Sequence, residues 1–331
     1  MASGKFPENL DEPILMEESD RNSIFPLKYP DIYQHFKTQQ ALYWQTEEID
    51  WNNDYKDFMS LNKDQQHFLK LVIGFFSAAD NLIIQNLSCN FIEEMSFLEA
   101  KFTLSYQQMI ECIHSETYAT IIDVIIKDEK EKDKIFNSLS NVPSIKSKAD
   151  FCYKYMDRDN ASFATRLYAF SLIENISFAS SFCSIFYIKQ MGKMPGLSFS
   201  NELISRDESQ HALFTIHIYN KYIKHKLSVE KIHEIMNELI EIEDKFVEDA
   251  LPVRLLGMSS DLMKQYVRFV ADRHLILMNY PKLYNVQNPF DFMEAISIET
   301  KSNFFDRKVG EYSKASNVNT EKKFVILKTG F

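Results

Sequence analysis

Two stretches of the chain, ECIHSETY at 111–118 and RDESQH at 206–211, each place a glutamate three residues before a histidine. Residues i and i+3 share a helix face. Glu111 with His114, and Glu208 with His211, would therefore each present a carboxylate and an imidazole to one side. Oxygen and imidazole donors without thiolate suit iron or manganese. Acid-x-x-His also occurs at Asp64/His67 and Glu230/His233, so the spacing alone is weak. Those two acids follow Asn62 and Ser228 in expected first helical turns. There an acid complements the helix dipole, and both pairs are read as structural.

Two further acids stand where apolar residues belong. Asp80 shares a helical stripe with Ile73, Phe76, Ile83, Ile84 and Leu87, and Glu174 with Leu167, Phe170, Phe178 and Ile185. Glu111 lies among Leu104, Ile121, Ile122 and Ile125, and Glu208 follows Ile204. An isolated buried carboxylate costs several kcal/mol, so four would cost on the order of 10 to 20 kcal/mol, comparable with the whole stability of a domain. They must be protonated, paired with basic side chains, or bound to cations. Their stripes are short of Lys and Arg, which favours cations, and two divalent ions would balance four carboxylates. Two Glu-x-x-His helices plus one acid from each of two others form the ligand set of di-iron and di-manganese carboxylate bundles, with Asp80 in place of one glutamate. Tyr118, at i+4 from His114, points to the same inner face. Phe178 and Phe182, at i+4 and i+8 from Glu174, and Ile204, at i−4 from Glu208, can wall it in. A phenol beside an oxygen-activating metal pair can lose one electron, and a dry pocket would preserve the radical.

These residues need long helices to carry them. Of 331 residues, 45% are hydrophobic, while only 7 glycines and 9 prolines interrupt the chain, below the usual shares of roughly 7% and 5%. One large all-α core is expected. Helices are expected from Pro30, from about 62 to 90 with Asn62 as N-cap, from 97 to 127, and over 160–190, 198–224, 228–250 and 260–280. KDEKEKDK at 127–134 reads as a solvated turn, MGKMPGLSFS as a break, and nothing as a strand. Residues 1–25 read as a loose arm, 26–312 as the helical domain and 313–331 as a flexible tail. A net charge of −10 disfavours nucleic acid or an anionic membrane as the main partner. There is no run of about 18 apolar residues and no apolar leader. Four cysteines without CxxC spacing suit a reduced, cytoplasmic setting.

With ECIHSETY, the segments FFSAAD, LIENISFASSF and MPGLSFSNELISRDESQH occur in an order that resembles the small, radical-generating subunit of class I ribonucleotide reductase, in its eukaryotic and large-DNA-virus form. The likeness runs from about residue 12 to near the C-terminus. It implies a ferritin-like bundle, homodimeric, with Asp80, Glu111, His114, Glu174, Glu208 and His211 as ligands of two irons, manganese being possible. It also implies Tyr118 as the stable radical, formed with O2 and a reductant, in a pocket of Phe178, Phe182 and Ile204. Trp44 matches the family's near-surface tryptophan, Asp207 the aspartate linking it to His114, and Tyr312 the tail tyrosine at the junction with the large subunit. That subunit would reduce ribonucleotides to deoxyribonucleotides. The tail departs from the acidic endings usual among eukaryotic relatives, closing on FVILKTGF, where Phe324 and Phe331 remain as apolar anchors for docking. Trp51 has no assigned role. The rival readings are a di-iron oxidase or oxygenase, which needs an open substrate channel, and an iron-storage ferroxidase, which needs neither Trp44, Asp207 nor a docking tail.

Overall fold

The computed structural model describes residues 6–16, 21–250 and 258–293. Among them the regular structure is helical, with no β-sheet. The helices are α1 (Pro30–Gln40), α2 (Asp54–Ser60), α3 (Lys63–Asn86), α4 (Leu98–Ile125), α5 (Glu129–Phe136), α6 (Pro143–Met156), α7 (Phe163–Leu172), α8 (Ala179–Gln190), α9 (Pro195–Tyr222), α10 (Val229–Ala250) and α11 (Ser260–Leu277). Helix α3 lies along α4, and α9 lies along α7 and α8. Helix α1 bridges α4 and α9, while α6 and α10 pack together against α7 and α3.

Local chemistry sets the helix starts. Asn62 forms a reciprocal capping box with Gln65: its side chain accepts from Gln65 N at 2.9 Å, and the Gln65 side chain accepts from Asn62 N at 3.0 Å. Pro30 and Pro195 occupy first turns. The KDEKEKDK stretch is helical rather than a turn, because Asp128 caps Glu131 N at 2.9 Å and Ile135 anchors the segment in the core.

Two helices depart from α geometry. A π-helical turn, Leu87–Phe91, continues α3, and another, Ile173–Ser177, joins α7 to α8. Two helical stretches, Lys63–Glu94 and Phe163–Gln190, are long and apolar enough to cross a membrane, contrary to the expectation of none. Their most apolar windows are 67% and 94% buried within the protein, which makes them core helices.

The expected loose arm is anchored where it is described. Asn9 Oδ1 accepts from Phe163 N, the Glu12 carboxylate accepts from Lys224 N and His225 N, Ile14 is fully buried, and Arg21 forks onto Glu99 at 2.7 and 2.6 Å. Asn9 and Glu12 bind backbone groups of the bundle, and Arg21 binds a buried carboxylate. The boundary expected at 312 lies outside the described residues, and the first compact unit closes at Pro289. Within it, Asp272 accepts the amides of Leu283, Tyr284 and Val286 and folds the segment after α11 back. Of the second unit, residues 290–293 are described and form a single turn in which Met293 N donates to Phe290 O.

Candidate metal centre

Helix α3 supplies Asp80, α4 supplies Glu111, His114 and Tyr118, the π-helical turn Ile173–Ser177 supplies Glu174, and α9 supplies Asp207, Glu208 and His211. Their starting points are held firmly. At the head of α9 the buried Asp54 accepts from Gly196 N at 2.9 Å and Leu197 N at 2.8 Å, and Asp57 accepts from Met194 N. Burial pushes the Asp54 carboxyl up, and those two backbone donors oppose it. Gly196 is required there: a Cβ would lie 2.7 Å from Asp50 O and 2.8 Å from Trp51 Cε3. Trp51, unassigned from sequence, is thus the lid over the start of α9.

The six acids and imidazoles expected to meet do meet, each at most 2% exposed. His114 Nδ1 lies 3.3 Å from Glu111 Oε2 and 3.1 Å from Glu208 Oε1. His211 Nδ1 lies 2.9 Å from Glu111 Oε1 and 3.5 Å from both Glu174 Oε2 and Glu208 Oε2. Glu111, Glu174, Glu208 and His211 offer donor atoms that all fall within 4.8 Å of one another. Asp80 is buried close enough to the cluster for the charges of Glu111, His114, Glu208 and His211 all to act on it. The two outlying acid-x-x-His pairs are elsewhere: Asp64, His67 and Glu230 are exposed, and His233 Nε2 faces Pro281 O.

Whether this cluster fits metal ions is decided by its unpartnered atoms. Asp80 Oδ2, both oxygens of Glu111 and Glu174, Glu208 Oε2, and the Nδ1 of His114 and His211 are buried and make no aligned hydrogen bond, the close N···O approaches among them being ion-pair contacts alone. Unpaired buried polar atoms are rare in native proteins, and here they converge on one place with the donor types of a di-metal carboxylate site. They fit. The electrostatics agree. Burial, then the charge of Glu111, pushes the Asp80 carboxyl well up, and burial with the charge of Glu208 does the same to Glu174. Burial opposes charge on His114 and His211, yet the surrounding carboxylates outweigh it and raise both. Glu208, set between the two imidazoles, goes down despite its burial. A site that must retain protons to balance its acids is one that cations can neutralise instead.

Tyr118 is 1% exposed and its hydroxyl has no partner. Burial, then the charges of Asp80, Glu208 and Glu111, pushes it well above the usual phenol range. The residue that lies flat on it is Phe76, with ring centroids 4.6 Å apart and planes 3° from parallel. Phe178 and Phe182 pack on Phe76 at 5.5 and 4.9 Å, and Ile204 is fully buried one turn before Glu208. Phe76 was visible in the sequence as a neighbour of Asp80 on its stripe, but nothing local linked it to Tyr118.

Trp44 is 2% exposed, more deeply buried than a near-surface position implies. Its Nε1 donates to Asp207 Oδ2 at 2.7 Å, and the same oxygen lies 3.4 Å from His114 Nε2. The indole and imidazole planes are 23° apart, with centroids at 6.1 Å. Arg206 steadies Asp207 Oδ1 and donates to Leu42 O at 2.7 Å, tying α9 to the segment that carries Trp44. Tyr312, Phe324 and Phe331, with the rest of the tail, lie outside the described residues.

Fold and site together define an all-helical, ferritin-like carboxylate protein with a buried cluster suited to a metal pair. The family described as "Ribonucleotide reductase, small chain" matches residues 21–289. The ribonucleoside-diphosphate reductase small chain of Trypanosoma brucei brucei is 45% identical over 95% of this chain and 93% of its own length. The corresponding protein of Spisula solidissima is also 45% identical, over 92% of this chain and 79% of its own length. In three dimensions the chain superposes on the ribonucleotide reductase Rnr4 homodimer of Saccharomyces cerevisiae with a TM-score of 0.79 and 32% identity, covering 92% of this chain and 93% of that one. The chain belongs to the ribonucleotide reductase small-chain family. It is therefore an oxidoreductase subunit, and its family implies a di-metal centre. These relatives do not favour the oxygenase or iron-storage readings.

Proposed function

We propose that Asp80, Glu111, His114, Glu174, Glu208 and His211 hold two irons, or two manganese ions, and that Tyr118 stores an oxidising equivalent for a large catalytic subunit that reduces ribonucleotides. The bound pair would supply the one-electron oxidation of Tyr118 on reaction with O2 and a reductant. The protein's part is positional. Asp207 accepts from Trp44 Nε1 while facing His114 Nε2, so it can fix the imidazole with Nδ1 turned into the cluster. Phe76 covers the phenol ring, and Phe178 and Phe182 back Phe76. The line from His114 through Asp207 to Trp44 is the observation that carries this reading over an oxygenase, because it leads from the cluster towards the exposed Tyr43 and Gln45 rather than to a substrate. Tyr312 and the tail would extend that route to the large subunit.

The decisive measurement is reconstitution of the metal-free protein with ferrous iron and O2, followed by electron paramagnetic resonance. The expected outcome is a tyrosyl signal that Tyr118→Phe abolishes without loss of iron uptake. Iron uptake with no signal dependent on Tyr118 would refute the radical assignment.

The yeast relative is described as a homodimer, and we propose that this chain also pairs with a second copy. The surface suited to it is the apolar groove of Phe36, Ile92, Leu98, Phe102, Tyr106 and Met109, where Phe102 and Met109 are each 38% exposed.

A further inference from the structure

The core holds a further buried ion pair that the centre does not use. Lys148 on α6 is 1% exposed and Glu243 on α10 is fully buried. Lys148 Nζ lies 2.8 Å from Glu243 Oε1 and donates to the backbone carbonyl of Ser177, also at 2.8 Å. The ring faces of Phe75 and Phe246 sandwich the ammonium, with centroids at 3.8 and 3.9 Å. Glu243 accepts from the Ser177 hydroxyl at 3.2 Å and the Ser180 hydroxyl at 3.3 Å. Every one of these backbone and hydroxyl contacts falls on Ser177 or three residues beyond it. Ser177 closes the π-helical turn Ile173–Ser177, whose second residue is Glu174.

This arrangement has a specific mechanical meaning. A π-helical turn is a rare departure from the α ladder, commonest as a single turn at functional sites. Here its last carbonyl and last hydroxyl are gripped by a pair anchored on two other helices. The pair is poorly suited to be a mere stabiliser, since a buried ion pair can often be replaced by apolar side chains of similar volume without loss of stability. What such a pair can do is dictate where the backbone sits. Glu174 is also the one member of the cluster carried on non-α backbone, so its carboxylate has the most to gain from an external clamp.

We propose that Lys148 and Glu243 are positioning residues for the metal centre, clamping the Ile173–Ser177 turn and so placing the Glu174 carboxylate. The proposal rests on the assignment of Glu174 as a metal ligand. If the pair only fastens α6 to α10, its loss alters thermal stability and nothing at the metals.

The test is a manganese(II) titration of the metal-free full-length protein, followed by the resonance of free manganese, with a thermal melt of each sample. The wild type is expected to bind two ions. Lys148→Met/Glu243→Leu, which removes both charges together, is expected to melt close to wild type while one of its two sites weakens by about tenfold or more, the scale seen when a ligand loses its outer support. Wild-type affinity at both sites in the folded double variant overturns the clamp. Should that variant fail to fold, Ser177→Ala/Ser180→Ala removes the hydroxyl grips that Glu243 makes: weakening of one site supports the clamp, and unchanged affinities overturn the role given to Glu243. A wild-type chain that binds no pair of manganese ions overturns the ligand assignment itself, and the clamp with it.

Discussion

Phe76 and Tyr118 lie face to face at 4.6 Å, and the phenol hydroxyl makes no hydrogen bond. Truncating a buried phenylalanine to alanine costs about 3–5 kcal/mol, so Phe76→Leu is the more informative change. It should melt only modestly lower, yet leave a gap beside the phenol. The expected result is a tyrosyl resonance that forms at normal yield and decays several-fold faster. Equal lifetimes for Phe76→Leu and wild type would show that the stack does not protect Tyr118. The residue scale also shows what local reading misses. Asp80, Glu111 and Glu174 announce themselves because a charge on an apolar stripe is costly, whereas Phe76 on such a stripe is ordinary and acquires its role only through the ring it meets.

At the scale of helices, periodicity located the long elements to within a few residues, and Asn62 and Pro30 marked true starts. It did not show the two π-helical turns, since one extra residue leaves an apolar run looking continuous. The turn matters for Phe182. Eight residues of regular α-helix would carry it about 80° off the face of Glu174, and the extra residue of the π turn rotates it back towards that face. The helix start at Gly196 makes a prediction of its own. With 2.7 Å available between a new Cβ and the Asp50 carbonyl, Gly196→Ala must displace backbone. The expected cost is about 1–3 kcal/mol, as for other overpacked sites, read as a lower midpoint in denaturant. An unchanged midpoint would mean that the Trp51 segment yields freely.

For the whole molecule the cluster links metal, proton and fold. Asp80, Glu174, His114 and His211 all hold protons more tightly in the folded protein than is usual for their types. Without metal, the folded state therefore binds more protons than the unfolded chain as pH rises past the ordinary carboxylate and then imidazole values. The stability these groups contribute is present at low pH and lost as pH rises towards their folded pKa values. Metal ions replace those protons. The melting temperature of metal-free protein should fall between about pH 6 and pH 8, and the gap to metal-loaded protein should widen. A gap that narrows over that range contradicts the account. The groove between α1 and α4 gives a second test at this scale: Phe102→Glu/Met109→Glu should yield monomers in sedimentation while metal uptake persists, and an intact dimer would place the interface elsewhere.

The sequence by itself determined the all-helical class, the six buried acids and imidazoles, and the candidate phenol. Each follows from helical spacing and the free energy of burying charge, both of which operate within one or two turns. Only the tertiary structure decided that Phe76 covers Tyr118, that Trp51 roofs Gly196, that Trp44 is buried against Asp207, and that Lys148 reaches Glu243 and Ser177. Those contacts join residues far apart in the chain. Which of many chemically acceptable partners a side chain meets is settled by the packing of whole helices, and no local spacing encodes it.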